Sequence, residues 1–392
     1  MKRRQFVGAV LSAVMLGTAA QAQASGFGNW IADFRNRARA AGISDPTFDA
    51  AFADARYLQD SVDRDRNQAE FTRPLADYMS IAVSDTRVTN GRIMVQQFAE
   101  VFARIEAKFD VEPHVVAAVW GMESNYGQRR GDTPLISTLA TLAYDGRRGR
   151  FFEEQLIAAL RILQNGDVTP QNMTGSWAGA MGHTQFMPTS YEAYAVDITG
   201  DGRRDIWTDD PSDALASTAA YFRRFNWRKG QPWGVEVLLS QGFDFGQTGS
   251  RSPAAWGQLG VRGVDGQVVP NHGDARLITP TGAGGPAFLI FANYTTISRY
   301  NNAQTYIIGV GYLSDRIRGM GPLQVAFPPG ERPLNRAERV ELQQRLTDAG
   351  FSTQGVDGRI GPNSQAAIRA YQRSIGVPTD GFASVALLER LR

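Results

Sequence analysis

Between residues 319 and 334 the chain reads GMGPLQVAFPPGERPL, with four Pro and three Gly. Pro removes a backbone donor and fixes φ, and Gly weakens helix and strand alike. No regular element can run through such a stretch. The chain must therefore form at least two bodies: residues 25–320, long enough for a sizeable core, and a compact module over 335–392. Residues 321–334 read as the linker between them.

Composition removes several chemistries. The 392 residues contain no Cys, so thiol nucleophiles, zinc thiolates and iron–sulfur clusters are absent. His114, His183 and His272 lie far apart, with no H-E-x-x-H pair. None of the three Lys (Lys2, Lys108, Lys229) follows Gly, so no phosphate loop of the Walker type exists. Lys plus Arg is 41 against 39 Asp plus Glu, and Lys2, Arg3 and Arg4 supply three of the positives. Without them the balance is 38 − 39 = −1. That balance argues against a protein held to nucleic acid by bulk charge.

Residues 1–24, MKRRQFVGAVLSAVMLGTAAQAQA, carry a basic start, an apolar run and A-Q-A steps. They read as a secretory leader cleaved near Ala24. Arg3-Arg4 leaves the general and the twin-arginine export routes both open. The mature chain is expected in the periplasm, without a membrane span.

The remainder predicts a mostly α (α+β) protein. Apolar residues recur at helical spacing over Asp33–Ala41, Asp45–Ala55 and Gly91–Phe109, with Asp45 as cap and Pro46 opening its helix. Thirteen of the 41 Gly fall in residues 230–285, among short runs such as Val235–Leu239. This predicts a small β-rich insertion over about 230–290. Helical signals return at 299–318. In the tail, Leu342, Leu346 and Ala349 form one apolar stripe and Ala366, Ala367, Ala370 and Tyr371 another, predicting a small three-helix module.

Three stretches could carry chemistry. In the first, Glu112 to Gly127, Pro113 suits a first helical turn and Gly127 an end, with an apolar interior. This places Glu123 near a buried helix C-terminus. The helix dipole and apolar neighbours there oppose ionisation and favour a general acid. A carboxylate paired with Arg is the alternative. In the second, Gly175 to Tyr191, small residues permit close backbone approach, Ser176 and Gln185 can bind hydroxyls or acetamides, and Trp177 and Phe186 offer ring faces. Tight helix packing would use the same residues. The third, Asn293 to Tyr306, mixes amides and phenols that suit either carbohydrate or a core with satisfied hydroxyls.

W-G-M-E-S-N-Y-G, S-W-A-G-A-M-G-H-T-Q-F-M-P-T-S-Y and S-R-Y-N-N-A-Q-T-Y, in that order, resemble the B-type lytic murein transglycosylases, glycoside hydrolase family 103. The likeness covers about residues 27–320. V-D-G-R-I-G-P-N-S-Q-A-A-I-R-A-Y-Q resembles the peptidoglycan-binding module of wall enzymes. The resemblance implies a lysozyme-like core with helical and β-containing subdomains. It also implies cleavage of the MurNAc–GlcNAc bond without water, Glu123 serving as acid and then as base. Carried over by position, Ser176, Gln185 and Phe186 would contact the sugar at the cleavage site, and Tyr300, Asn301 and Tyr306 would form a facing wall. Arg147 and Arg148 would meet peptide or muramic carboxylates, with Phe151 following them, and Tyr221 and Tyr78 would line the cleft.

No cofactor is implied for the chemistry. Asp197-Ile198-Thr199-Gly200-Asp201-Gly202-Arg203-Arg204-Asp205 resembles the start of an EF-hand-like calcium loop, with ligands Asp197, Thr199, Asp201, the Arg203 carbonyl and Asp205. Position 12 is Thr208, so Asp209, Asp210 or Asp213 would have to close the site; an Asp-Gly turn is the alternative. The partners implied are peptidoglycan strands and other wall enzymes. A hydrolytic muramidase would need a second carboxylate, for which Asp132 and Asp145 stand nearby in sequence. A wall-binding scaffold without turnover is the third reading.

Overall fold

The computed structural model of the protein describes residues 26–66, 74–247 and 249–392. The leader, residues 1–24, lies outside the described residues. In chain order the helices are α1 (residues 26–40), α2 (Asp45–Phe52), α3 (Gln59–Arg66), α4 (Leu75–Ala82), α5 (Asp85–Gln97), α6 (Ala99–Phe109) and α7 (Pro113–Ser124). Strand β1 (Thr133–Pro134), α8 (Leu135–Asp145), α9 (Gly149–Gln164), β2 (Thr174–Gly175), α10 (Pro188–Tyr194) and α11 (Ser212–Arg224) follow. Then come β3 (Gly234–Leu239), α12 (Pro253–Gln258), β4 (Val261–Gly263), β5 (Arg276–Ile278), β6 (Ala287–Ile290), α13 (Ala292–Tyr300) and α14 (Gln304–Arg318). The tail holds α15 (Arg336–Asp348), α16 (Pro362–Ser374) and α17 (Val385–Leu391). The protein is thus mostly helical with small antiparallel sheets.

Several expected elements differ in detail. The cap of α2 is Ser44, whose Oγ accepts the Thr47 N–H, so Pro46 is the second helical residue and Asp45 the first. The expected helix Gly91–Phe109 starts earlier, at the Ser84 cap, and breaks at Phe98 (φ −105°, ψ 30°), whose ring meets Trp120 edge-on at 5.7 Å. Residues 299–318 contain a second break. Asn301 is extended and its Oδ1 accepts the Ala303 N–H, separating α13 from α14. In each case one polar or aromatic side chain turns the backbone, which apolar spacing does not reveal.

Contacts divide the described residues into two units, one from residues 26–66 and 123–218 and the other from 74–122 and 219–392. In the first, every residue of α8 from Leu135 to Ala143 is buried, because α2, α3 and α9 all pack on it. Phe152 and Leu156 of α9 are fully enclosed, each stabilising by about 2 kcal/mol on burial.

In the second unit, α14 packs against α4, α5 and α13. Its two glycines are there for space: a Cβ at Gly311 would lie 2.3 Å from the Trp233 indole, and one at Gly309 3.0 Å from the Met122 methyl and 3.3 Å from Tyr78. The strands form one antiparallel sheet ordered β4-β3-β6-β5, with Val235 opposite Leu289 and Leu277 opposite Leu289. Trp256, Val237 and Leu289 fill its core. The tail module closes on Leu342, Leu346, Ile368 and Leu388, while Ala349 and Ala366 are exposed. A repeated device builds it. The Gln343 and Gln372 amide oxygens accept the N–H groups of Gly358 and Gly381, each just after an Asp.

The Pro/Gly segment is pinned rather than loose. Glu236 of β3 accepts the N–H groups of Gln324 (2.9 Å) and Val325 (2.8 Å), and Glu331 accepts that of Val385. Asp380 of the module accepts the Ala283 N–H at 2.8 Å.

Candidate active site

Helix α7 is apolar from Val115 to Trp120 and buried throughout that stretch. Glu123 is its penultimate residue and is half-buried. The helix does not run on to Gly127. Asn125, Tyr126 and Gly127 all take left-handed φ values of 51°, 58° and 84°. Gly127 adopts this conformation freely, but Asn125 and above all Tyr126 do so at a cost that other contacts must offset. Ser124 supplies two: its Oγ–H donates to the His183 carbonyl at 2.5 Å, and its Oγ accepts the Gly127 N–H at 2.9 Å. The end of the helix is thereby joined to the loop that the second stretch forms.

That loop uses its small residues as close approaches. A Cβ at Gly182 would lie 2.2 Å from the Ile206 carbonyl oxygen, and one at Gly179 2.4 Å from Leu139. The Ser176 Oγ accepts the N–H groups of Ala178 and Ala180, making it a turn-former as well as a half-buried hydroxyl. Gln185, itself left-handed, donates Nε2–H to the carbonyls of Arg130 and Gly182. Phe186 is only 2% exposed. Its ring belongs to the core beneath the loop, not to a face on which a sugar ring could stack, which corrects the reading of its side chain. Trp177 stays half-buried.

The phenols of the other unit group separately. Tyr221 donates its hydroxyl to the Arg299 carbonyl at 2.5 Å and meets Tyr300 edge-on at 5.2 Å. Tyr300 is half-buried and Asn301 exposed, whereas Tyr306 is 7% exposed. Tyr78, half-buried on α4, stands over Gly309 beside Met122. Asn293 is wholly buried and spends its amide on the Arg228 and Gln231 backbone, a structural role.

Arg147 and Arg148 converge on Asp65, at 2.5 and 2.9 Å, and Arg148 lies 4.8 Å over the Phe152 ring. Both guanidiniums remain nearly half exposed while Asp65 is enclosed, and they hold its carboxyl below the usual range. An open groove of about 570 Å³ runs along Arg147, Arg148, Arg150 and the exposed Phe151. A further cavity of about 500 Å³ between β3 and residues 377–379 is lined by none of the expected site residues.

In the aspartate loop, carboxylate oxygens of Asp197, Asp201 and Asp213 lie within 4.8 Å of one another, with Asp213 buried. Asp205 stands outside this group. Its Oδ1 accepts the Trp207 and Thr208 N–H groups, and its own N–H goes to Asp213. The Thr199 hydroxyl donates to Asp197. Burial pushes the Asp213 carboxyl up, while the Gly200 and Gly202 N–H groups hold Asp197 down. Three converging carboxylates suit a hard divalent cation.

None of Asp65, Arg130, His183 and Ser124 is singled out as a site residue in the sequence, although Ser124 and His183 stand inside two of the motifs that carry the resemblance. Asp65 is 82 residues from its Arg partner, and Arg130 and His183 acquire their meaning only through carbonyls at 206–208. No spacing rule connects such positions.

Residues 26–315 match the family described as "Transglycosylase SLT domain", and residues 335–391 match a peptidoglycan-binding domain family. The chain belongs to this transglycosylase family. It is 32% identical over 243 residues to membrane-bound lytic murein transglycosylase B of Escherichia coli K12, covering 61% of this chain and 66% of that one. The fold superposes on SltB3 from Pseudomonas aeruginosa, solved with NAG-anhNAM-pentapeptide, at TM-score 0.88 and 46% identity over 93% of this chain and 99% of that one. Against E. coli Slt35 solved with calcium the TM-score is 0.62 at 28% identity, over 75% of this chain and 93% of that one. Among the described residues no helix is long and apolar enough to cross a membrane.

Proposed function

We propose that the chain is an exported lytic transglycosylase that cleaves the β-1,4 bond between N-acetylmuramic acid and N-acetylglucosamine in peptidoglycan, leaving 1,6-anhydro-muramic ends. The observation that carries this is the half-buried Glu123 at the end of an apolar helix, its turn clasped by Ser124. The SltB3 complex with an anhydro-muramyl product supports the same reading. Protonated Glu123 gives its proton to the glycosidic oxygen as the C1–O bond breaks and C1 becomes oxocarbenium-like. The carboxylate so formed takes the proton of the C6 hydroxyl, whose oxygen closes on C1. One carboxyl serves both steps because a base that has just lost its proton is placed to accept the next.

Ser176 and Gln185 present polar groups for the sugar, with Phe186 supporting the loop from below. Tyr300, Asn301, Tyr306, Tyr221 and Tyr78 serve glycan binding, and Arg147 and Arg148 bind carboxylates of muramic acid or its peptide. The 335–392 module holds the enzyme to the wall, and the leader sends it to the periplasm. Calcium would be held by Asp197, Asp201 and Asp213, with Thr199 and the Arg203 carbonyl as the further ligands the loop offers and Asp205 as a loop brace. Its contribution there is electrostatic ordering of the loop. Of the two carboxylates the muramidase alternative would call on, the Asp145 side chain is 6% exposed and paired with Arg66 at 2.5 Å, while Asp132 is exposed.

The test is mass spectrometry of muropeptides released from purified sacculi by residues 25–392. Anhydro ends that vanish with Glu123→Gln are the expected result. Reducing ends would establish a hydrolase, and protein bound to sacculi without release a scaffold. Turnover by the Glu123→Gln variant would remove Glu123 from the mechanism.

A further inference from the structure

The hydrogen bonds around His183 form a chain that ends beside Glu123. Its backbone N–H donates to the Ile206 carbonyl at 3.1 Å, and its Nε2 lies 2.7 Å from the Thr208 carbonyl. Arg130 Nη1 lies 3.1 Å from the same Nε2 but already donates to that carbonyl, so the Nε2–H tautomer is the one in which the ring donates to Thr208. Burial pushes the His183 pKa down, which agrees with a neutral ring in this role. His183 is therefore clamped to residues 206–208 at two points, one from its main chain and one from its ring. The Thr208 carbonyl also receives Arg130 Nη1–H at 2.6 Å, and Arg130 Nη2 pairs with Asp209 at 2.8 Å.

A histidine fixed in this way holds its own carbonyl still. Into that carbonyl Ser124 donates, and both residues are almost fully enclosed, at 3% and 1% exposure. Within such an enclosed site a hydroxyl deprived of its acceptor has no water to turn to. The same Ser124 oxygen accepts from Gly127 and so keeps the left-handed turn closed. Glu123 is the next residue back along the chain.

We propose that His183 and Ser124 are positioning residues that fix the carboxyl of Glu123 for proton transfer, His183 by presenting its carbonyl and Ser124 by closing the helix end upon it. This deepens the reading of Glu123 given above and rests on it. A carboxyl that must deliver and then recover one proton loses rate steeply when its geometry loosens, since displacements of about 1 Å can cost about a hundredfold. Ground-state binding, made elsewhere on the glycan, is left alone.

The experiment measures kcat and KM on soluble, peptide-bearing glycan chains for Ser124→Ala, Ser124→Thr, His183→Ala and His183→Gln, with a melting curve for each. Ser124→Ala and His183→Ala are expected to lower kcat at least tenfold with KM within about twofold. Ser124→Thr keeps the hydroxyl, and His183→Gln keeps an N–H for Thr208; each is expected to recover most of kcat. Variants whose melting point falls but whose kcat at 15 °C equals that of the parent would reduce both residues to a structural role and overturn the proposal. So would a loss confined to KM, or Ser124→Thr and His183→Gln variants no better than the alanine variants. Where an alanine variant does not fold, its conservative partner alone decides: that variant must keep kcat within about threefold of the parent, and a greater loss overturns the proposal. Activity of Glu123→Gln, measured alongside, would overturn the underlying assignment of the acid instead.

Discussion

Arg204 turns its guanidinium out of the aspartate loop and onto Asp167, with Nη2 2.6 Å from Oδ2, while lying 4.9 Å over the Tyr191 ring. Its positive charge is therefore spent outside the Asp197, Asp201 and Asp213 cluster. Sequence places Arg203 and Arg204 next to the candidate ligands, where they would repel a cation. The fold removes one of the two.

Calcium should accordingly raise the melting temperature, and a chelator should lower it. At a free concentration 100 times the Kd the gain is about 2.7 kcal/mol, which shifts the midpoint by a few degrees in a protein of this size. Asp213→Asn should abolish the shift, because the buried member of the set is lost. Equal melting curves with calcium and with chelator would refute the site. A shift surviving in Asp213→Asn would move it elsewhere.

The Arg147–Asp65–Arg148 cluster predicts a different signature. Asp65→Asn keeps the shape but removes the charge that aligns two guanidiniums. Because both Arg are nearly half exposed, the stability loss should stay at about 1–2 kcal/mol. Binding should suffer more selectively. KM for peptide-bearing glycan should rise about threefold to tenfold, and KM for peptide-free glycan should not move. Equal KM changes on both substrates would show that the pair does not read the carboxylates.

Asp315 on α14 accepts the Trp233 indole N–H at 2.8 Å and pairs with Arg318 at 3.0 Å, yet burial pushes its carboxyl up to about 6. The folded state thus holds this proton more tightly than the unfolded chain. Its contribution to stability is fully present below about pH 4 and is lost as pH rises through about 6. The difference is about 3 kcal/mol, at about 1.36 kcal/mol per unit. Asp315→Asn cannot titrate, so its stability relative to the parent should improve between pH 4 and pH 7. Denaturant melts at both pH values give the comparison, and a constant offset would show that Asp315 does not titrate in this window.

What can be read in the sequence follows from how far each interaction reaches along the chain. The buried helix carrying Glu123, the glycine-rich loop at 175–182 and the tail module are marked by local spacing and motif, so they are legible. The left-handed turn after Ser124 is half legible: Gly127 marks a helix end and Asn125 tolerates positive φ, but Tyr126 does not advertise it. Phe186 misleads because an aromatic near a loop can face either way, and only packing puts it under the loop. The clamp on His183 is illegible, since it uses main-chain carbonyls of Ile206 and Thr208 that any residue would offer. The Pro/Gly segment has the composition of a spacer, and nothing local shows that Glu236 of β3 would hold it.

That pinned segment makes the last prediction. The module meets the rest of its unit where Asp380 accepts the Ala283 N–H and where Gly282, at φ 72°, lets Phe382 approach. A Cβ at Gly282 would lie 2.5 Å from Asp380 Oδ2 and 3.1 Å from Phe382 Cβ, besides straining a left-handed residue. Gly282→Ala should therefore release the module from this contact. Asp380→Ala should do so too, at a cost of about 2 kcal/mol, because it also leaves Gln372 Nε2 and the Phe382 N–H within the module without their acceptor, so Gly282→Ala is the cleaner probe of the contact. Neither change touches Leu342, Leu346, Ile368 or Leu388, so the module itself should remain folded. Limited proteolysis within 319–334 should quicken in both variants, while co-sedimentation with sacculi stays as in the parent. Unchanged proteolysis would mean that the Glu236 and Glu331 contacts alone hold the segment. Lost co-sedimentation would mean that the wall is gripped by the docked pair and not by the module alone.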